Sequence, residues 1–281
     1  MAFDFKIMRS LIYVDVVKEE YRVKLMDWLY RHHVPDSISK FGPYVTKYAF
    51  YNALPTPPEG DRFGVHRMQL TEHYWLVNEH LPEMANSIMR EYMPKDVLRW
   101  QGNLPDIDTK EMRENTKSGD AGRCSGGNNG CQPFIFAFVP INWEEDFKGA
   151  GRTVEDGPNY RWQFLIQYPD SITKEQGEKW FHDELVPKFK DCPYVNRFVS
   201  SKIIVDYGAS SMDRAVEMWF DGPDEWYKAA VECASSMKKP DWAEQDNFPF
   251  LKPNFHIASM FLPDMATSDN LTQYHGYITM R

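Results

Sequence analysis

Histidine and tyrosine side chains are the groups in this sequence best suited to move protons. His33 lies two residues before Pro35 at the end of a helix-like pattern, and His73 lies in a strand-like segment on the same face as Trp75. An imidazole titrates near neutral pH and can act as a general acid or base. We predict catalytic roles for His33, His73 and Tyr48; the alternatives are a helix-end imidazole bound to carbonyls for His33 and a solvent-facing one for His73.

A second set of residues is predicted to bind a substrate. Phenol hydroxyls can hold a carbonyl or phenolate oxygen, and an anionic substrate needs a cation. Strand aromatics and histidines also occur as ordinary core residues, so a packing role is the alternative for several members of the set. The predicted substrate-binding residues are Tyr44, Arg31, Lys47, Arg67, Trp75 and His256.

Pro35 is expected to end the first helix, which places His32 and His33 in its last turn. The helix dipole favours a protonated ring at that position, so we expect a modestly raised pKa. Two adjacent imidazoles do not both become charged at low cost, and one is expected to stay neutral.

Motifs for most cofactor classes are missing from the sequence. It has no P-loop, no dinucleotide-binding glycine motif, no nucleophile elbow and no zinc-protease helix. His66, His73 and His80 recur every seven residues, but that spacing alternates faces in a strand, so no metal site is predicted. None of the four cysteines lies in a Cys-x-x-Cys pair. We therefore expect neither a cofactor nor a metal.

Charge and composition limit the classes of partner that the protein is expected to bind. The net charge of −9 disfavours nucleic acid and anionic membranes, both of which need a basic surface. The apolar run near the N-terminus is too short for a signal peptide, and no stretch approaches a membrane span. We expect a cytoplasmic protein that binds a small molecule; pairing of two whole chains stays open.

A repeat organises the chain of 281 residues. The segment from Trp28 to Tyr51 returns from Trp180 to Ser201, and each copy contains a Val-Pro and then a Pro-Tyr-Val. Leu185 takes the place of His33 in the second copy. Alignment of Trp75 with Trp219 places Glu217 at the position of His73. We predict two units, at 1–150 and 151–281.

Each unit has the predicted order strand, helix, strand, strand, helix, strand. In the first unit Pro82 opens the second helix, and the polar, Gly-rich segment 101–132 interrupts the pattern as a lid, a binding loop or a disordered insertion. In the second unit Thr173 and Gln176 form a predicted capping box. This order indicates the α+β class, with two tandem ferredoxin-like units.

The sequence resembles the EthD-like branch of the dimeric α+β barrel superfamily. The resemblance rests on the Trp-containing first helix, on His33-Val34-Pro35 and on the Pro-Tyr-Val before the second strand. The resemblance implies that the two units pair sheet to sheet as a barrel. It also implies that His33 lies over a cavity between sheet and helices, while the second unit, which has Leu185, is scaffold. Members are mostly cofactor-free enzymes acting on aromatic or polyketide substrates; some bind haem.

The resulting hypothesis is a cofactor-independent isomerase in aromatic-compound catabolism that acts on an unsaturated oxo-acid or lactone from ring cleavage. His33 would transfer the proton, while His73 and Tyr48 or Tyr44 would orient the substrate and stabilise an enolate. Two alternatives remain. One is a cofactor-free monooxygenase or lyase on a phenolic substrate, and the other is a non-catalytic protein that binds a small ligand or supports a partner enzyme.

Overall fold

One antiparallel sheet connects the two halves of the chain. The computed structural model describes residues 6–16, 19–42, 45–77, 134–149, 159–203, 212–253 and 256–271. The sheet order is β8-β5-β7-β6-β4-β1-β3-β2-β9. The strands are β1 (Lys6–Val16), β2 (Val45–Asn52), β3 (Gln69–Val77), β4 (Phe134–Lys148), β5 (Tyr160–Ile166), β6 (Arg197–Ile203), β7 (Arg214–Phe220), β8 (Ile257–Pro263) and β9 (Ser268–Asp269).

Each half has the strand order of a ferredoxin-like unit. The first four strands lie in the order β4-β1-β3-β2 and the next four in the order β8-β5-β7-β6, and β4 pairs with β6. The far edges also meet, because Leu54 N donates to the Phe261 carbonyl at 2.8 Å and His66 N to the Ser259 carbonyl at 2.8 Å. The sheet therefore closes, and the predicted α+β fold of two units in a dimeric α+β barrel arrangement is confirmed.

Interrupted helices cover the outer face of the part of the barrel that the structure describes. In the first half, α1 (Arg22–Trp28) and α2 (Val34–Phe41) are joined by the π-helical turn Leu29–His33. In the second half, α3 (Lys174–Trp180) and α4 (Val186–Lys190) flank the π-helical turn Phe181–Leu185, and α5 (Pro223–Tyr227) follows β7. The capping box of Thr173 and Gln176 is confirmed.

Pro35 does not end its helix, and that prediction was wrong. The helix continues to Phe41, and the corresponding helix continues past Pro187 to Lys190. A proline in a regular α-helix lacks its N–H and clashes with the carbonyl four residues earlier. The wider π-helical turn directly before each Val-Pro relieves that clash, so the chain keeps its helical path.

Strand register corrects the repeat alignment by one residue. Glu72 pairs with Leu11 and Ala49, while Glu217 pairs with Gln163 and Val199 at the same points of the second half. Glu72 is therefore the counterpart of Glu217, and His73 is the counterpart of Met218. The predicted match of Trp75 with Trp219 was wrong because a slip of one residue in a strand exchanges its two faces.

The sheet separates two buried layers. The second-half helices pack on an aromatic core that includes Trp162, Phe181, Phe198 and Trp226. The apolar part of the barrel interior is formed by Leu11, Tyr13, Ala49, Tyr51, Leu70, Ile141, Leu165, Ile203, Met212, Ala215, Ala258, Met260 and Leu262.

Several predictions fall outside the described residues. They concern Tyr44, the helix after Pro82, the segment 101–132 and the boundary at 150 and 151, all of which stay predictions. Among the helices that the structure describes, none is long and apolar enough to cross a membrane.

Candidate functional site

A row of aromatic side chains lies on the helix-facing side of β2 and β3. The Tyr48 and His73 rings stack with centroids 4.3 Å apart, and the His73 and Trp75 rings are 5.2 Å apart. Trp75 Nε1 donates to Ser10 Oγ on β1 at 2.8 Å, which fixes the indole. All four residues are buried. Alternation along the strands places the three rings on one face and fixes their order.

His33 approaches this row from the helix above it. It is the last residue of the π-helical turn that precedes α2, and its electrostatic effect reaches His73. Ser37, one turn further along α2, lies beside the Tyr48 hydroxyl. Among the described residues, His73 Nδ1 has no hydrogen-bond partner. The structure thus brings together four residues that the sequence singled out: His33, Tyr48, His73 and Trp75.

Burial keeps this site uncharged. Loss of solvent lowers the pKa of His33 to about 4, and loss of solvent together with repulsion by His33 lowers the pKa of His73 to about 3. The raised pKa expected for His33 was wrong, because the helix continues past this residue and burial outweighs any dipole. Burial raises the pKa of Tyr48, so its hydroxyl keeps its proton. At neutral pH the site offers a neutral base beside a phenol donor.

The second half has apolar residues at all the equivalent positions, which the strand register and the π-helical turns define. These apolar side chains belong to the aromatic core of the second half and fill the space under its helices. The chemistry predicted for the first half therefore has no counterpart there. Leu185, Phe198, Met218, Phe220 and Trp162 stand in the places of His33, Tyr48, His73, Trp75 and Ser10.

The predicted cations lie away from the row. Lys47 is on the opposite face of β2 from Tyr48 and binds Glu72. Arg31, with a side chain 77% exposed, pairs with Asp27 at 2.9 Å.

Two further members of the predicted set also lie elsewhere. Arg67 is exposed and pairs with Asp61, and His256 Nδ1 lies 3.3 Å from Glu244 in the second half. The binding roles proposed for these residues stay predictions.

The barrel interior contains an ion cluster that the sequence did not reveal. The Arg9 guanidinium binds Glu72 at 2.5 Å and also Glu217, which accepts from Arg161 as well. Lys47 binds Glu72 at 2.6 Å. Register makes Arg9 equivalent to Arg161 and Glu72 equivalent to Glu217, so a correct strand alignment of the repeat would have exposed the pattern. We refer to these five residues as the barrel ion cluster.

Both carboxylates of the cluster are ionised. Burial opposes the charge on Glu72, but attraction to Arg9, Arg161 and Lys47 outweighs it and lowers its pKa to about 2. The same balance, with Arg161 and Arg9, holds the pKa of Glu217 well below its usual range. No group of three His, Cys, Asp or Glu side chains that could hold a metal ion occurs within the described ranges.

Comparisons with known proteins give one family match. The model of the chalcone isomerase N-terminal domain matches residues 5–106, which is less than half of the chain. No curated protein matches the sequence at a significant level.

Solved structures of similar proteins include an anthrone oxidase-like protein, at 11% identity and a TM-score of 0.49, with 96% of each chain covered. They also include a mutant chlorite dismutase from Candidatus Nitrospira defluvii, at 7% identity and a TM-score of 0.43, covering 98% of this chain and 96% of that one. The fold of the present structure itself defines a dimeric α+β barrel protein. Under its helices the first half carries Tyr48 and His73, whereas the second half carries Arg214, which binds Glu178 on α3 and Glu145 on β4.

Proposed function

We propose that this protein is a cofactor-free isomerase that acts on a neutral, phenol-bearing unsaturated ketone of the chalcone type. The observation that carries the proposal is the row of Tyr48, His73 and Trp75 on one face of the sheet, with His33 close enough to act electrostatically on His73. The match to the chalcone isomerase N-terminal domain supports it, because β1 to β3 and the first helix, which hold all of these residues, lie within the matched region.

The charge of the site favours a neutral substrate over the oxo-acid that the sequence suggested. His33 and His73 are both neutral above about pH 4, and Lys47 faces the other side of the sheet. A carboxylate placed among the aromatic rings would lose its hydration without a described cation to replace it. A planar ketone with two aromatic rings instead gains from stacking and from burial of apolar surface.

A proton transfer through His33 accounts for an isomerisation of such a ketone. The imidazole takes the proton of the substrate phenol, and the phenolate oxygen forms a bond to the β-carbon of the double bond. The electron pair of that double bond moves toward the carbonyl, whose oxygen becomes an enolate. The proton then returns from the imidazolium to the α-carbon. All atoms and electrons stay in the substrate, so no oxidant or organic cofactor is required.

His73 and Tyr48 are suited to bind the enolate oxygen. A neutral imidazole and a protonated phenol can each donate a hydrogen bond, and the buried surroundings strengthen both bonds relative to water. The imidazolium and the enolate also attract each other while both exist. Trp75, held by Ser10, would keep the His73 ring in place.

The test is turnover of a 2′-hydroxychalcone by the parent protein, by His33→Gln and by His182→Gln. Ring closure interrupts the conjugation of the ketone, so its long-wavelength absorbance should fall with time. We expect His33→Gln to lose about 10²- to 10⁴-fold in kcat, the range for a general base. His182→Gln makes the same change in the π-helical turn of the second half and should retain the parent rate.

Parallel assays separate the alternatives. Turnover of an unsaturated oxo-acid or lactone with no turnover of the chalcone would favour the ring-cleavage isomerase. Oxygen uptake would indicate the monooxygenase, and release of a small fragment the lyase. Tight binding without turnover in any assay would indicate a binding protein. Formation of a homodimer stays a separate proposal, which light scattering of the full chain tests.

A further inference from the structure

The barrel ion cluster has an uneven charge. It joins three cations, Arg9, Arg161 and Lys47, to two carboxylates, Glu72 and Glu217. Every link is a direct ion pair, and the cluster carries one net positive charge in the barrel. Glu217 and Arg161 have side chains only 2% and 4% exposed. Counted over the described residues, the cluster thus has one cation more than it has carboxylates, and this excess attracts an additional anion.

Two hydrogen-bond donors near the cluster have no acceptor among the described residues. They are Arg161 Nε and Tyr13 Oη, and the residue Tyr13 is 0% exposed. Tyr13 lies on the same face of β1 as Arg9, and its phenol interacts electrostatically with Glu217, Arg161 and Arg9. Burial raises its pKa, so the hydroxyl keeps its proton and remains a donor. Unused donors at a positively charged position are the features that recognise an anion.

Aromatic rings and two small side chains surround the cluster. Arg9 and Lys47 lie over Tyr74, and Arg161 lies over Tyr51. Ala49 is the register partner of Glu72, and Ala215 precedes Glu217 by two residues on the same face. The Lys47 side chain is 32% exposed, so the cluster reaches the solvent there.

We propose that the barrel interior beside Arg161 and Tyr13 binds one small monovalent anion, of the size of a halide or formate. This site lies on the opposite face of the sheet from His33 and does not depend on the proposed isomerase activity. The bound anion would balance the positive charge of the cluster that Glu72 and Glu217 do not neutralise. It would also accept hydrogen bonds from Arg161 Nε and Tyr13 Oη.

Bromide is the probe that tests the site. Crystals of the full chain grown in sodium bromide should show an anomalous peak at the bromine absorption edge, within hydrogen-bond reach of Arg161 Nε and Tyr13 Oη. In solution, bromide should replace gluconate at constant ionic strength, so that only the small anion changes. We expect the melting temperature to rise by about 2–4 °C as bromide is raised through saturation, as for a ligand specific to the folded state.

Two matched variants locate the effect. Tyr13→Phe removes the unused donor but keeps the ring that packs against His66. Tyr160→Phe removes another buried hydroxyl, on the helix-facing side of the sheet, for which the described part of the chain offers no hydrogen-bond partner. The bromide-dependent rise should fall by at least half in Tyr13→Phe and stay unchanged in Tyr160→Phe.

Three results would overturn the proposal. The first is a water molecule, not bromide, beside Arg161 Nε and Tyr13 Oη in the bromide crystals. The second is bromide bound to exposed side chains alone, which would make it an adventitious ion only. The third is an equal bromide-dependent rise of the melting temperature in Tyr13→Phe and Tyr160→Phe.

Discussion

Acidification should destabilise the protein through the buried imidazole of His73. Burial lowers its pKa from 6.5 to about 3, so between these values the unfolded chain binds a proton there and the folded chain does not. Stability linked to His73 is therefore constant above about pH 7 and falls as the pH drops below 6.5. One pH unit is worth about 1.4 kcal/mol, so from pH 7.5 to pH 5 the free energy of unfolding should fall by about 2 kcal/mol on account of this residue.

The assay is urea unfolding followed by tryptophan fluorescence at pH 7.5 and pH 5, for the parent and for His73→Met. Methionine is the residue that the second half has at this position, Met218, so an apolar side chain of this size is compatible with the fold. The parent should lose about 2 kcal/mol more than the variant on acidification. Equal losses in the parent and in His73→Met would refute the reasoning.

Three further outcomes follow from the same contacts. Tyr48→Phe should lower kcat for the chalcone by about 10²-fold with little change in KM, because the hydroxyl acts on the enolate; an unchanged kcat would remove it from the mechanism. The kcat/KM of the parent should stay level from pH 8 to about pH 5 and decline around the His33 pKa of about 4, whereas a decline centred near 6.5 would contradict a buried base. Glu217→Gln should lower the free energy of unfolding in urea by about 3–5 kcal/mol, because Arg9 and Arg161 lose a buried partner. The same change at the half-buried Glu244 should lower it by less than about 1 kcal/mol.

The periodicity of residues along the chain was sufficient to predict the fold. The alternation of β3 correctly separates His73 and Trp75 from Glu72, and the repeated Val-Pro correctly equates His33 with Leu185. These patterns report local geometry, which strands and helices impose on any sequence. They therefore identify residues that share a face, and in this chain the face they share carries the candidate site.

The register between distant strands and the solvent exposure of side chains could not be predicted from the sequence. Matching Trp75 to Trp219 ignored the two faces of a strand, and this hid the pairing of Glu72 and Glu217 inside the barrel. The pKa of His33 depends on how much protein covers the ring, which becomes known only when the helix is packed on the sheet.

The bonds across the barrel also make the two halves complementary fragments. Arg9 from the first half binds Glu217 from the second, and β4 pairs with β6 along their shared edge. A gene divided within 150–158 would produce two polypeptides, each with an open strand edge and buried charges lacking their partners. Neither fragment should be active by itself, although the first contains His33, and co-expression should restore turnover. The chain is thus suited to serve as a split reporter in which the half that lacks a counterpart of His33 controls the signal.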